Sequence, residues 1–267
     1  MMTYRIMHYP GSKWSMARWI ISHMPVHETY LEPFFGSGSV FFTKQRSQLE
    51  TVNDIDGDIV NLFQVIREQP EELAYVIRWT PHSREEYNKS YEHTTDKLER
   101  ARRFIVRFWQ GRGGKTSIKT GWRSMIEANG SLPGKEWLQF PEKIIAVSER
   151  LLGVQIENQP ALQLIKRYQR PNVLIYADPP YVLSTRTTTS YRYEMTDEDH
   201  IQLIEALDNH PGPVLLSGYD NRLYDERLKH WQKEMKRVKA EAGAIREEVL
   251  WINPVAFQHG HFQQTLF

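Results

Sequence analysis

The chain has 267 residues, 40% of them apolar, with eight Trp and eleven Phe, enough for one large domain or one domain carrying an insertion. It has no cysteine, which excludes disulfides, thiolate zinc sites and a cysteine nucleophile. The net charge of +1 is unevenly spread: Lys97 to Arg123 holds nine basic residues and one acid, Glu99, so this window carries +8 and the rest −7, as expected where one patch meets a polyanion.

In chain order, Trp14, Ala17, Ile21 and Met24 fall at helical spacing and predict a helix over 12–24. TYLEPF (29–34) is a short strand running into a glycine turn, SVFFTKQ begins a helix, and ETVND (50–54) is a second strand. Ile59, Leu62, Phe63 and Ile66 mark the next helix. From about 80 to 160 the alternation lapses. Leu98, Ala101, Ile105 and Phe108 form one helical stripe with Arg100, Arg103 and Arg107 on another face, followed by QGRGGKTSIKTGWRS, a loop or hairpin with four glycines. NVLIYADPPY (172–181) restores the strand pattern. Thr196 and Asp199 resemble a capping box before DHIQLIEAL, although Asp stands where Glu or Gln is usual. PVLLSGY (213–219) and EEVLWIN (247–253) are further strands. Strands alternating with helices predict an α/β fold, a doubly wound, mostly parallel sheet covered on both faces.

No apolar run is long enough to span a bilayer, and the opening MMTYRIMHYPGSK lacks the plan of a secretory signal, so a cytosolic location is expected. His259 and His261 form an HxH pair without an acidic or third histidine partner at metal spacing. A surface pair and no metal are expected.

Four short motifs carry candidate chemistry. In LEPFFGSGSV, Gly36 and Gly38 open a strand-to-helix turn, either simply a tight turn or a place where a ligand lies against backbone N–H groups. Asp54 ends the second strand, where an acid either accepts hydrogen bonds from ribose hydroxyls or caps a helix. Tyr9-Pro10-Gly11-Ser12-Lys13 is either a turn with a solvated lysine or a loop bringing a ring and an ammonium to the mouth of the same site. In Asp178-Pro179-Pro180-Tyr181 the prolines end a strand, because proline gives no N–H to the ladder. They also fix a carboxylate and a backbone carbonyl at the carboxyl edge of the sheet, and Tyr181 adds a flat face. Two acceptors on one exocyclic amine favour a more tetrahedral nitrogen with its lone pair aimed at an electrophile.

In this order, PGSK, EPFFGSGS, NDIDGD, the basic insertion, DPPY, SGY and EVLWINP, the chain resembles the Dam family of DNA adenine-N6 methyltransferases, particularly small phage and prophage members, over nearly its whole length. The resemblance implies the class I methyltransferase fold with S-adenosylmethionine as donor. Glu32, Pro33, Phe34, Gly36 and Gly38 line its methionine part, Asp54 holds the ribose, and Tyr9 and Lys13 close the pocket, with Asp178 at its edge. Asp178, Pro179, Pro180 and Tyr181 grip a flipped-out adenine. The catalytic domain is then 1–80 with 160–267, and 81–159 is an inserted, mainly helical target-recognition region. Arg107, Arg112, Lys115, Lys119 and Arg123 are candidate contacts to phosphates or guanine edges of duplex DNA. Trp109 or Trp122 is a candidate wedge, and Arg186 and Arg192 lie in a loop that closes over the flipped base. A monomer is expected, with pairing on DNA as the alternative. One departure stands out: the family has Gly-Gly-Lys where this chain has Gly11-Ser12-Lys13, and a φ above zero at Ser12 would cost energy. Rival readings are a cytosine-N4 methyltransferase, which usually has Ser at the position of Asp178, an RNA adenine-N6 methyltransferase, and a catalytically silent DNA-binding protein on the same fold.

Overall fold

The computed structural model describes residues 5–113, 115–124, 137–186, 189–239 and 245–258. The HxH pair at 259–261 lies outside them. Seven strands form one sheet: β1 Thr29–Glu32, β2 Leu49–Asn53, β3 Gln155–Glu157, β4 Val173–Ala177, β5 Val214–Gly218, β6 Gln232–Lys239 and β7 Ile245–Ile252. Their spatial order is β3-β2-β1-β4-β5-β7-β6. β1 to β5 are parallel, and β7 runs antiparallel to both β5 and β6. The doubly wound, mostly parallel sheet expected from the alternation is present.

The strands form where apolar runs are continuous, because both faces are covered. Every residue of β1, β4 and β5 is buried. Successive side chains go to opposite faces. Tyr30, Leu174 and Tyr176 join one core cluster, while Leu31, Val173, Ile175 and Ala177 join the other.

The first cluster is covered by α1 (Ala17–Ile21), α2 (Ser39–Thr43), α3 (Gly57–Glu68), α4 (Pro70–Arg78), α6 (Lys97–Gln110) and α7 (Phe140–Leu151), with α5 (Arg84–Lys89) packed against α6. The second is covered by α8 (Ala161–Arg167), α9 (Asp197–Asp208) and α10 (Arg222–Arg227). A last short helix, α11, spans Pro254–Gln258. The helix expected over 12–24 is only Ala17–Ile21, because Met16 and Ala17 both donate to the Lys13 carbonyl and wind the preceding segment into a turn. The capping box at Thr196 and Asp199 is complete in both directions.

β1 leads outward through β2 to β3, and the chain then returns to place β4 on the other side of β1. The strand order therefore reverses between β1 and β4, the crevice where open α/β sheets bind ligands. Register pairs Leu31 with Ile175, so Glu32 stands level with Tyr176 and Asp178 follows two residues later at that switch point.

Candidate active site

After Glu32 the chain turns sharply. Gly36 and Gly38 have φ of +49° and +64°, values that L side chains adopt only with strain. The two have different neighbours. A Cβ on Gly36 would come within 3.1 Å of the Tyr9 ring, at the cavity wall. One on Gly38 would stand 2.6 Å from both the Phe35 and Phe42 rings, behind that wall. Asp54 Oδ2 accepts the Gly36 N–H at 2.8 Å and Oδ1 accepts the Asp56 N–H at 2.9 Å. The cap of α3 is Asp56, which accepts from Asp58 N at 2.9 Å, and not Asp54. Burial pushes Asp54 up to about 7. Each of its oxygens keeps a lone pair for a further donor.

At the other edge of the crevice, Asp178 follows β4. The Lys13 ammonium donates to the Gly11 carbonyl at 2.6 Å and stands 3.0 Å from Asp178 Oδ1, 4.8 Å from the Tyr181 ring centroid. Asp178 Oδ1 is buried against the Lys13 ammonium. Burial raises the Asp178 carboxyl, opposed by Lys13. Burial acts to lower Lys13, but Asp178 and then Glu248 outweigh it and hold the ammonium charged. Glu32 is pushed up to about 8 by burial, although the Tyr30 hydroxyl donates to its Oε2 at 2.6 Å. The Tyr181 hydroxyl donates to Glu248 Oε2 at 2.6 Å, and its ring meets Tyr219 edge-on with centroids 4.5 Å apart.

Between these groups lies a cavity of about 330 Å³. Its walls include Tyr9 to Ser12, Glu32 to Ser37, Asn53 to Asp56, Pro160 to Leu162 at the start of α8, Asp178, Pro180 and Tyr191 to Met195. Pro179, Tyr181, Lys13 and Gly38 stand behind this lining rather than in it. Ser12 carries no strain: the positive φ of this loop, +70°, falls on Gly11, and a Cβ there would meet the Tyr191 hydroxyl at 2.3 Å. Tyr191 donates to the Pro10 carbonyl at 3.1 Å, so the segment after DPPY closes over the PGSK loop. Thr116 N–H donates to Ser190 O at 2.9 Å, tying the same segment to the glycine-rich loop.

The basic insertion departs most from expectation. On α6, Arg100 pairs with Asp58, Arg102 with Glu86 and Glu99, and Arg103 with Glu99. Arg107 donates to the Ser90 carbonyl at 2.7 Å and stacks over Tyr91, so this candidate DNA contact is consumed inside the protein. Trp109 is a core residue, 3% exposed, with its Nε1 donating to Ile6 O and its ring edge-on to Phe140. It is not a wedge. Arg186 is paired with Glu194, and Arg192 lies 3.0 Å from Asp58 Oδ2 and 3.5 Å from Asp56. Both pairs tie the closing segment to the rest of the protein, and the Arg192 side chain stays 42% exposed. The remaining candidates share one loop, closed by a bridge between Gly111 and Trp122 and by Arg112 N donating to Gly121 O. Arg112 and Lys119 are exposed on it, Lys115 and Arg123 half-buried. Trp122 is half-buried under Arg84 and beside His82. The residues missed in the sequence are Glu248, Tyr191, Asp58 and the 160–162 wall. Only Glu248 carried a signal, an acid heading an apolar strand.

An acid and a proline-fixed carbonyl thus stand at the switch point of a doubly wound sheet, beside a cavity bounded by a glycine turn and a second-strand acid. Residues 9–242 match the D12 class of N6 adenine-specific DNA methyltransferases, and the chain belongs to that family. It is thus an adenine-specific DNA methyltransferase. The DNA adenine methylase of Escherichia coli (strain K12) is 25% identical over 264 residues, covering 90% of this chain and 91% of that protein. The type II methyltransferase M1.LlaDCHI of Lactococcus lactis subsp. cremoris is 25% identical over 245 residues, covering 82% and 84%. Among solved structures, a SAM-dependent methyltransferase from Agrobacterium tumefaciens aligns with 90% of this chain and 59% of that chain at TM-score 0.37 and 10% identity, too distant to argue from. Among the described residues no helix is long and apolar enough to cross a membrane.

Proposed function

We propose that the chain moves a methyl group from S-adenosylmethionine to N6 of an adenine rotated out of duplex DNA. The observation that carries this is the Asp178 carboxylate on the cavity wall at the switch point, beside the Lys13 ammonium at 3.0 Å and next to the proline-fixed carbonyl. The donor's fit is supported by a cavity inside the usual range for small-molecule sites. Spare lone pairs on Asp54 suit ribose hydroxyls, and the Tyr9 ring at Gly36 leaves a narrow slot. When bound, the donor supplies an electrophilic sulfonium methyl.

The chain's own residues then do the positioning, which is most of the catalysis. Asp178 and the Pro179 carbonyl accept the two amine hydrogens and aim the nitrogen lone pair at the methyl carbon. As the C–N bond forms, the C–S bond breaks with its electron pair going to sulfur. The nitrogen gains positive charge and releases a proton, which Asp178 accepts. Its raised carboxyl suits that task. The catalytic part is 1–80 with 160–267, and 81–159 recognises the target, chiefly through the 111–123 loop. The enzyme acts as a monomer in the cytoplasm. The test is single-turnover transfer from labelled donor to unmethylated plasmid DNA, with the modified base mapped by long-read sequencing. Label on cytosine, or none on DNA, rejects the assignment.

A further inference from the structure

β7 runs antiparallel to β5, so its beginning lies at the carboxyl edge of the parallel strands. Glu248 sits there, 8% exposed, opposite Lys236 of β6. Its carboxylate is aimed into the sheet edge, where Oε2 accepts the Tyr181 hydroxyl at 2.6 Å. Tyr181 is itself 9% exposed. A bond this short between a phenol and a buried carboxylate is charge-assisted and directional. Lys13 lies over the ring at 4.8 Å and Tyr219 meets it edge-on at 4.5 Å, contacts that set distance more than angle, and the Tyr181 side chain also interacts with Asp178. Glu248 thus fixes the ring's rotation about the edge where Asp178 stands, and the same carboxylate helps keep Lys13 charged beside Asp178.

We propose that Glu248 is a positioning residue for methyl transfer, locking the Tyr181 ring at the angle on which the target adenine stacks beside Asp178. The inference rests on the reading of Tyr181 as the stacking face. It also changes what Tyr181→Phe does. The sequence alone suggests a mild effect, because the face survives. In the structure, losing the hydroxyl frees the ring and strands a buried carboxylate.

The full chain is assayed with tritiated S-adenosylmethionine and unmethylated plasmid DNA, as wild type, Glu248→Ala, Glu248→Gln, Tyr181→Phe and the Tyr181→Phe/Glu248→Gln pair. Glu248→Ala lowers the single-turnover rate about tenfold or more while affinities for donor and plasmid stay within about twofold, a split that a general loss of structure does not produce. Glu248→Gln keeps an acceptor oxygen and recovers most of that rate. In the pair, Glu248→Gln adds no further loss to Tyr181→Phe, because the bond it would weaken is already gone. Glu248→Ala transferring within about twofold of wild type, or the Glu248→Gln and Tyr181→Phe losses multiplying, overturns the proposal. If Glu248→Ala does not fold, Tyr181→Phe decides, because it removes the same bond: transfer within about twofold of wild type overturns the proposal. A wild type that labels no adenine sinks the underlying function instead, so the two failures are distinguishable.

Discussion

The carboxyl edge of the sheet and the basic insertion were equally conspicuous as patterns, yet they behave differently once folded. At the edge, residues far apart in sequence converge: Gly36 with Asp54, Lys13 with Asp178, Tyr181 with Glu248. In the insertion, four of the nine basic residues between Lys97 and Arg123 are spent within the protein. Arg100, Arg102 and Arg103 answer carboxylates, and Arg107 answers a backbone carbonyl and a tyrosine face. Arg112 and Lys119 on the 111–123 loop remain exposed. Rigid motifs at strand ends have their surroundings set by sheet topology, whereas a run of arginines has its partners chosen by whatever packs against it.

The largest expected effect is at the edge. Asp178→Ala removes an acceptor from the reacting amine and slows single-turnover transfer by about two decades or more, with donor and DNA binding retained. Asp178→Asn keeps one acceptor oxygen and loses about one to two decades. An Asp178→Ala enzyme at full speed removes the acceptor role. Next comes Asp54→Ala, which weakens donor binding by about tenfold to a hundredfold and plasmid binding by far less. Calorimetry finding the donor affinity unchanged shows that Asp54 does not hold the ribose.

The contrast itself is tested within the insertion. Arg112→Ala and Lys119→Ala each weaken plasmid binding several-fold and lower the dependence of log affinity on log salt by about one unit. Arg102→Ala leaves that dependence unchanged. It costs folding stability instead, about 1–3 kcal/mol, because Glu86 and Glu99 lose a largely buried partner. If Arg102→Ala flattens the salt dependence as strongly as Arg112→Ala, α6 faces DNA and its arginines are not sequestered within the protein.

The strands easiest to read were those buried on both faces, β1, β4 and β5. β6 escaped because QKEMKRVK is an edge strand carrying charge, which guards an exposed edge and reads as a solvated segment. β3 escaped because it has only three residues, none buried. Gly36, Asp54, Asp178 and Lys13 were legible because each residue type is demanded by its local backbone or by the chemistry of a strand end. Trp109 was misread because its burial is set by His8 and Phe140, from other segments. Glu248 went unassigned because its partner lies 67 residues away, and no local pattern points across that gap.

The smallest effect expected is a pH dependence at the same edge. Glu32 is 2% exposed, and burial lifts it from 4.5 to about 8. A carboxyl raised on folding binds more protons in the native than in the unfolded chain between those two values. Native stability therefore falls as pH rises from about 4.5 to about 8 and levels off above. Glu32→Gln is uncharged throughout and lacks this slope. It keeps an oxygen to accept the Tyr30 hydroxyl, so the local bond survives. Denaturant unfolding of the donor-free protein at several pH values should show the variant close to wild type in acid. By pH 8.5 it should be more stable by an amount on the order of 1–3 kcal/mol. Parallel curves for the two proteins mean that Glu32 is ionised at neutral pH and drawing on a cation instead. Lys44, whose ammonium lies 4.3 Å from the Tyr30 ring centroid, is then the group to replace next.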